Sequence, residues 1–408
     1  MTHSLNAAVI GLGSMGWGAA ISLLRAGVPT TGVDIASQVL QRFQAEGGRS
    51  ASTPAEAAAE ADVIFVFVVN ADQTEQVLFG PNGAVANARA GTVFLLCVTM
   101  PPSASIALCD RLTASGMQPI DAPVSGGSVK AMAGEMSIMA SGDPKAFERA
   151  APALEAITSK VFRLGNTPGM GSQVKMINQL LAGVHIAATA EALTLGAKIG
   201  IDLQQLYDVI CECAGSSWMF ENRGAHIVAG DYTPHSAVDI FVKDLGIVAS
   251  EAEEAGCRTP LTAASLALFH QASAAGFGRE DDSAVAKVLA ASANVSLPGV
   301  STAKKAKLHK PDQDNLERNK LGQRIQTPPA NKKIFQMTLM RQRPLCQKPL
   351  GQTLDISAGP LPPAKAHLIN HNAPLIRSFH DTGKTDTDQR AFCHKAAALG
   401  VIRSPTAR

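Results

Sequence analysis

From residue 7 to about residue 140 the chain alternates short apolar runs with stretches in which apolar residues recur at helical spacing. Runs rich in Val, Ile and Phe at 7–10, 30–33, 63–69, 92–97, 117–120 and 136–140 predict strands, and Ala- and Leu-rich segments such as 16–26 and 36–45 predict the helices between them. Near-continuous apolar strands belong to a sheet covered on both faces, so the pattern predicts parallel βαβ units. After a short strand at 161–164, Pro168 to Gly171 interrupts the chain. A long Ala/Leu/Ile pattern then runs over 172–199, with Lys175, Glu191 and Lys198 as its only charges. Such a segment predicts one long helix packed on more than one face, of the kind that joins two lobes or two subunits. Helical patterning continues over 203–211, 237–254 and 260–274, with no strand.

The first apolar run enters Gly11-Leu12-Gly13-Ser14-Met15-Gly16, which opens a helix. The glycines of such a turn allow a tight bend, close approach of backbone to a pyrophosphate, and packing of helix on strand, while the helix N-terminus offers N–H donors to phosphates. The second strand ends at Asp34, 23 residues after Gly11. A carboxylate there can accept hydrogen bonds from an adenosine ribose diol and repels a 2′-phosphate, which favours NAD over NADP; it can equally cap a helix starting at Ala36. The expected fold is therefore α/β: an N-terminal Rossmann-type doubly wound sheet over 1–165, then an all-α substrate and oligomerisation domain over 166–298 that begins with a long interdomain helix.

Composition narrows the function. At 408 residues the chain is long enough for two or more domains. Apolar runs such as 63–69 are too short to cross a bilayer, and the opening residues lack the pattern of an export signal. The seven cysteines are odd in number, and Cys211 and Cys213 are spaced for neither a zinc knuckle nor a redox pair. Reduced thiols in a cytoplasmic protein are expected. The net charge of +2 hides an asymmetry, because residues 1–298 carry 17 Lys and Arg against 27 Asp and Glu, and residues 299–408 carry 19 against 7. An acidic body gives no reason to expect specific nucleic-acid binding. The Lys-, Gln- and Pro-rich segment 299–408 predicts a basic, disordered extension without a catalytic role.

Four segments of the body resemble the β-hydroxyacid dehydrogenase family, whose members include 3-hydroxyisobutyrate and tartronate-semialdehyde enzymes. They are the Gly11–Gly16 turn with Met15; Asp121-Ala122-Pro123-Val124-Ser125-Gly126-Gly127; Gly169-Met170-Gly171-Ser172-Gln173-Val174-Lys175-Met176-Ile177-Asn178; and Lys243-Asp244-Leu245. The resemblance spans nearly all of 7–293. It implies Gly11, Leu12, Gly13, Ser14, Met15, Gly16 and Asp34 as cofactor contacts, Ser125, Gly126 and Gly127 as substrate contacts, Lys175 and Asn178 as catalytic residues, and Lys243 near both ligands.

Elementary chemistry supports parts of this. Lys175 and Asn178 are three apart and share a helix face. Oxidising an alcohol removes its hydroxyl proton, and a desolvated Lys, its pKa lowered by apolar neighbours such as Val174, Met176, Ile177, Leu180 and Leu181, can accept it. Ser125, Gly126 and Gly127 can turn backbone N–H groups toward a carboxylate, or form an ordinary turn. Lys243 can neutralise that carboxylate, or pair with Asp239. Thr99 lies just past a strand at the ligand-binding edge of the sheet, although Val98 stands where the family has Ser. Val69 and Asn70, where the family often has Leu-Pro, occupy a similar edge position. No cluster of His, Cys, Asp or Glu has metal-ligand spacing, so no metal is expected.

Within the family, the stretch from Ser216 to Arg223, with Asp231 to Pro234 and Val238 to Phe241, most resembles the branch acting on L-threonate. That implies oxidation of a four-carbon sugar acid at C2. Ser216, Ser217 and Asn222 can bind its extra hydroxyls, while Trp218, Met219 and Phe220 can also be simple helix packing. The alternatives are 3-hydroxyisobutyrate or tartronate semialdehyde as substrate, or a protein that binds NAD without turnover. Family habit and the long helix both imply a homodimer or homotetramer.

Overall fold

The computed structural model describes residues 5–300; the expected extension lies almost wholly outside these described residues. Nine strands are found among them: β1 (Ala7–Ile10), β2 (Thr30–Val33), β3 (Arg49–Ser50), β4 (Val63–Val66), β5 (Val93–Leu96), β6 (Gln118–Asp121), β7 (Val124–Ser125), β8 (Met136–Gly142) and β9 (Thr158–Gly165). Helices α1 (Ser14–Arg25), α2 (Ser37–Ala45), α3 (Pro54–Ala58), α4 (Ala71–Phe79), α5 (Pro102–Ala114), α6 (Gly127–Ala133) and α7 (Pro144–Ile157) connect the strands. The remainder is helical: α8 (Met170–Lys198), α9 (Leu203–Cys211), α10 (Trp218–Ala229), α11 (Val238–Glu254), α12 (Pro260–Ala272) and α13 (Val285–Ala293).

The sheet runs β3-β2-β1-β4-β5-β6-β8-β7, with β9 paired to β8. Pairing is parallel from β3 through β6, with Ala8 opposite Thr31 on one side and Ile64 on the other. Alternate side chains go to opposite faces, as a pleated strand requires. Ala7, Val9, Phe65 and Leu95 enter one core with α1 and α7, and Ala8, Ile10, Ile64, Phe94 and Leu96 enter a second core with α5. The expected doubly wound sheet is therefore present. Its far edge departs from the all-parallel pattern, because β8 pairs antiparallel with both β6 and β7. Predicted strand 63–69 stops at Val66, although the Phe67 N–H still reaches the Ile10 carbonyl at 2.8 Å.

Strand order reverses at β1, which has β2 on one side and β4 on the other. The crevice beyond the carboxyl ends of those strands is where open α/β sheets bind ligands. Here Gly11 has φ +91°, and a Cβ on it would lie 2.6 Å from the Phe67 carbonyl oxygen. The glycine turn and the β4 edge are thus in backbone contact at the switch point.

Helix α8 leaves the sheet region and forms the spine of the helical part, packing against α10, α11, α12 and α13. Ile186, Ala190 and Leu193 join Phe220, Phe241, Leu245 and Phe269 in a third core. By length and apolarity α8 could cross a membrane, which the run lengths of the sequence alone did not suggest. Its packing and its buried Lys175, Gln179 and Thr189 make it the core helix of a globular body. The face carrying Met170, Val174, Ile177 and Leu181 is exposed.

Candidate active site

A cleft of about 820 Å³ lies between the carboxyl edge of the sheet and helices α8, α10 and α11. It brings together Gly13, Ser14, Met15, Gly16, Val69, Thr99, Ser125, Gly126, Gly127, Lys175, Asn178 and Lys243, residues drawn from every segment of the sequence prediction. Gly11, Leu12, Asp34 and Asn70 do not line it. Leu12 turns its side chain into the core beneath the sheet. Asn70 caps α4, its Oδ1 accepting the Gln73 N–H at 2.8 Å, so that side chain is committed locally.

The turn at Gly11–Gly16 fits a dinucleotide on structural grounds. A Cβ on Gly16 would lie 1.9 Å from the Gly11 carbonyl oxygen, so this glycine is required by the fold. A Cβ on Gly13 would meet nothing within 4 Å. Nothing in the protein demands glycine there, whereas a phosphate approaching the N-terminus of α1 would. Gly13 is the N-cap of α1 and supplies no side-chain cap, which leaves the first-turn N–H groups open. Asp34 accepts the Leu12 N–H through Oδ2 at 2.8 Å and the Ala36 N–H through Oδ1 at 2.9 Å. It both braces the glycine turn and bonds the helix-start backbone, with further lone pairs open to a diol. Ile35 beside it is fully exposed, and neither Ile35 nor Ala36 offers a cationic side chain.

Lys175 projects from the second turn of α8 and is 8% exposed. Its ammonium makes no hydrogen bond or ion pair with a described residue. Burial lowers its pKa to about 8; nearby Lys243 adds to the fall and nearby Asp244 opposes it. Only some of the sequence neighbours expected to supply the desolvation are placed to do so, Met176 and Leu180 being half-buried. Val174 and Ile177 lie on the exposed face, and Lys175 is covered by elements distant in sequence that pack on the opposite one.

Two residues that motif reading left without a role complete the site. Asp244, 2% exposed, accepts Lys243 Nζ at 2.6 Å and Gln179 Nε2 at 2.5 Å. Gln179 in turn accepts Asn178 Nδ2 at 2.9 Å. Asn178 is thereby oriented with its Oδ1 left open to accept from a ligand hydroxyl. Lys243 also donates to the Thr99 carbonyl at 2.8 Å and so ties α11 to the end of β5. Its suggested partner Asp239 is engaged elsewhere, accepting Ser273 Oγ. The only sequence signal for Asp244 was its place in the Lys-Asp-Leu segment, and Gln179 had none.

Of the residues expected to read substrate hydroxyls, Ser217 lines the cleft, joined there by Ser236, His185 and His235. Ser216 instead bonds Glu221 at 3.0 Å, and Asn222 bonds the Arg223 guanidinium. Phe220 is core packing, stacked on Tyr207 at 5.8 Å between ring centroids, whereas Trp218 stands 53% exposed at the cleft. Among the described residues no group of His, Cys, Asp and Glu is placed to hold a metal ion. Cys97 also lines the cleft, and burial raises its thiol pKa, so it stays protonated.

The chain matches two family models in succession. Residues 6–165 match the NAD binding domain of 6-phosphogluconate dehydrogenase, and residues 169–289 match the NAD-binding of NADP-dependent 3-hydroxyisobutyrate dehydrogenase. It is 53% identical to L-threonate dehydrogenase of Cupriavidus necator over 296 residues, covering 72% of this chain and 99% of that one. It is 50% identical to L-threonate dehydrogenase of Escherichia coli over 295 residues, 72% of this chain and 97% of the relative. The crystal structure of a 3-hydroxyisobutyrate dehydrogenase from Salmonella typhimurium superposes with a TM-score of 0.67 at 49% identity, covering 70% of this chain and 99% of the other.

Proposed function

Because this chain belongs to the β-hydroxyacid dehydrogenase family, of the 3-hydroxyisobutyrate dehydrogenase-like kind, and is an NAD-dependent oxidoreductase, we propose that it oxidises the C2 hydroxyl of L-threonate to 2-dehydro-L-erythronate. The observation that carries this reading is Lys175, a buried and unpaired ammonium in one cleft with the glycine turn and the Ser125–Gly127 loop.

The substrate carboxylate meets the Ser125 side chain and the backbone N–H groups of Gly126 and Gly127, with Lys243 supplying positive charge nearby. Asn178 accepts or donates at the reacting hydroxyl and holds it toward Lys175. Neutral Lys175 takes the hydroxyl proton as the C2 hydrogen departs with its electron pair. Gly13–Gly16, Val69 and Thr99 would hold NAD, which would supply the two-electron acceptor. In the reverse direction the Lys175 ammonium returns the proton. Asp34 supports a preference for NAD, since its carboxylate would repel a 2′-phosphate.

The polar wall of His185, Ser217, His235 and Ser236 favours a substrate with several hydroxyls. A second reading, 3-hydroxyisobutyrate, is favoured by the Salmonella structure's description and by the apolar Trp218, Met219, Ile240 and Phe241 in the same cleft. NADH formation with a panel of sugar acids and hydroxy acids tests the choice. Turnover of 3-hydroxyisobutyrate with none of L-threonate would overturn the substrate but keep the mechanism.

We further assign 1–165 to cofactor binding and 166–298 to substrate binding and assembly. The exposed stripe of Met170, Val174, Ile177 and Leu181 supports pairing of two copies along α8. Described cysteines that are all free support a reducing, cytoplasmic setting.

A further inference from the structure

Asp121 ends β6 and is sealed from solvent, at 0% exposed. It heads the segment whose far end forms the substrate loop, yet it does not itself line the cleft. Five donors converge on its carboxylate. Oδ1 accepts Ser105 Oγ at 2.9 Å and Ser172 Oγ at 2.6 Å, while Oδ2 accepts the Ser172 N–H at 2.8 Å, the Gly169 N–H at 3.0 Å and Ser141 Oγ at 3.3 Å. Ser141 Oγ in turn accepts the Gly171 N–H at 3.1 Å.

Those N–H groups belong to the first turn of α8. The N-cap of that helix is Gly169, with φ 118° and no side chain to cap with. The capping carboxylate is therefore delivered from the sheet, about 50 residues away in sequence, and its charge complements the positive end of the helix dipole. Contact is close, because a Cβ on Gly171 would lie 2.5 Å from the Met139 carbonyl oxygen and 2.8 Å from that of Asp121. The end of α8 is thus pressed against β6 and β8. Ser172 and Lys175 are three residues apart and share a face. The bonds between Asp121 and Ser172 fix the rotation that turns Lys175 into the cleft and leaves Val174 and Ile177 outside.

We infer that Asp121 is a positioning residue for the reaction: by capping α8 from β6, its carboxylate sets the rotation and axial height at which Lys175 enters the active-site cleft. The inference rests on the reading of Lys175 as the proton carrier.

The test compares Asp121→Asn, Ser172→Ala and Lys175→Met in the full chain. It reads NADH formation with L-threonate, NAD affinity by fluorescence titration, and the pKa of Lys175 by competitive acetylation and mass spectrometry, which needs no turnover. A displacement of about 1 Å at reacting groups costs on the order of 100-fold. Accordingly Asp121→Asn should lower kcat by roughly that factor and Ser172→Ala by about tenfold. NAD affinity should stay within about twofold, since the glycine turn rests on β1 and α1. In both variants the Lys175 pKa should rise from about 8 toward the ordinary lysine value as water reaches the ammonium. A folded Asp121→Asn or Ser172→Ala with lowered Tm but unchanged kcat and Lys175 pKa would overturn the inference. If Asp121→Asn does not fold, Ser172→Ala, which removes only one side-chain donor, decides. Full turnover by Lys175→Met would instead sink the proton-carrier reading, and with it this inference, whatever the other variants do.

Discussion

Gln179 donates its amide to Asp244 across 2.5 Å, joining α8 to α11 one helical turn beyond Lys175. One carboxylate thereby orients Asn178 through Gln179, holds Lys243, and opposes the desolvation of Lys175.

Replacing Asp244 by Asn removes the charge that raises the Lys175 pKa while leaving an amide to meet Gln179. The ascending limb of the kcat/KM profile for oxidation should move below pH 8, and kcat should fall because Asn178 and Lys243 lose their anchor. An unmoved limb would show that Asp244 does not act on Lys175.

The pH dependence of the unmodified protein follows from the same group. Oxidation needs neutral Lys175, so its rate should rise through about pH 8 and level off above. Reduction needs the ammonium and should decline over that interval. Stability carries the opposite signature of a buried base. With a folded pKa of about 8 against the ordinary lysine value of 10.5, the unfolded chain binds more protons between those pH values, so Lys175 destabilises the fold at neutral pH and ceases to do so as pH rises through 10.5. Lys175→Met should therefore abolish turnover yet raise stability at pH 7, by up to roughly 3 kcal/mol on the scale of 1.36 kcal/mol per pH unit. Denaturant melts at pH 7 and pH 10.5 check this, the gain being confined to the lower pH.

Gly13 and Gly16 of the turn should separate binding from folding. Gly16→Ala drives a Cβ into backbone and should cost at least about 2 kcal/mol. Gly13→Ala meets open space and should stay within about 1 kcal/mol of the parent in stability, but should weaken NAD binding at least tenfold as the methyl group occupies the phosphate approach. Equal NAD affinity in Gly13→Ala and parent would remove the turn from the cofactor site.

Asp34→Ala should reduce the preference for NAD over NADP, measured as the ratio of kcat/KM values, by at least about tenfold. It should also weaken NAD itself, because the Leu12 N–H loses its acceptor at 2.8 Å.

Ending the chain after Val300 should leave kcat unchanged. Leu297 is 4% exposed in the helical core, Val300 packs against that core, and the Val300 N–H reaches the Leu297 carbonyl at 3.3 Å, so this end point keeps contacts that one at Pro298 would remove. A large loss of activity in the longer truncation would assign the basic extension a role.

Seven of the nine strands up to Gly165, the glycine turn and the shared helix face of Lys175 and Asn178 were legible in the sequence, because each depends on local spacing: period two in strands, period 3.6 in helices, and glycine where backbone must approach backbone; the two-residue strands β3 and β7 are too short to leave such a pattern. Tertiary structure decided how the site is held. Lys175 is buried by packing on one face of α8 while its neighbours Val174 and Ile177 are exposed, and hydrophobic residues nearby in sequence do not reveal which face is covered. Asp244 reaches Gln179 across 65 positions and Asp121 reaches Ser172 across 51, distances over which a linear pattern specifies no contact. The sequence named the group proposed to move the proton, and the folded chain determined where it stands, because rotation of a helix is set by what its ends and faces meet.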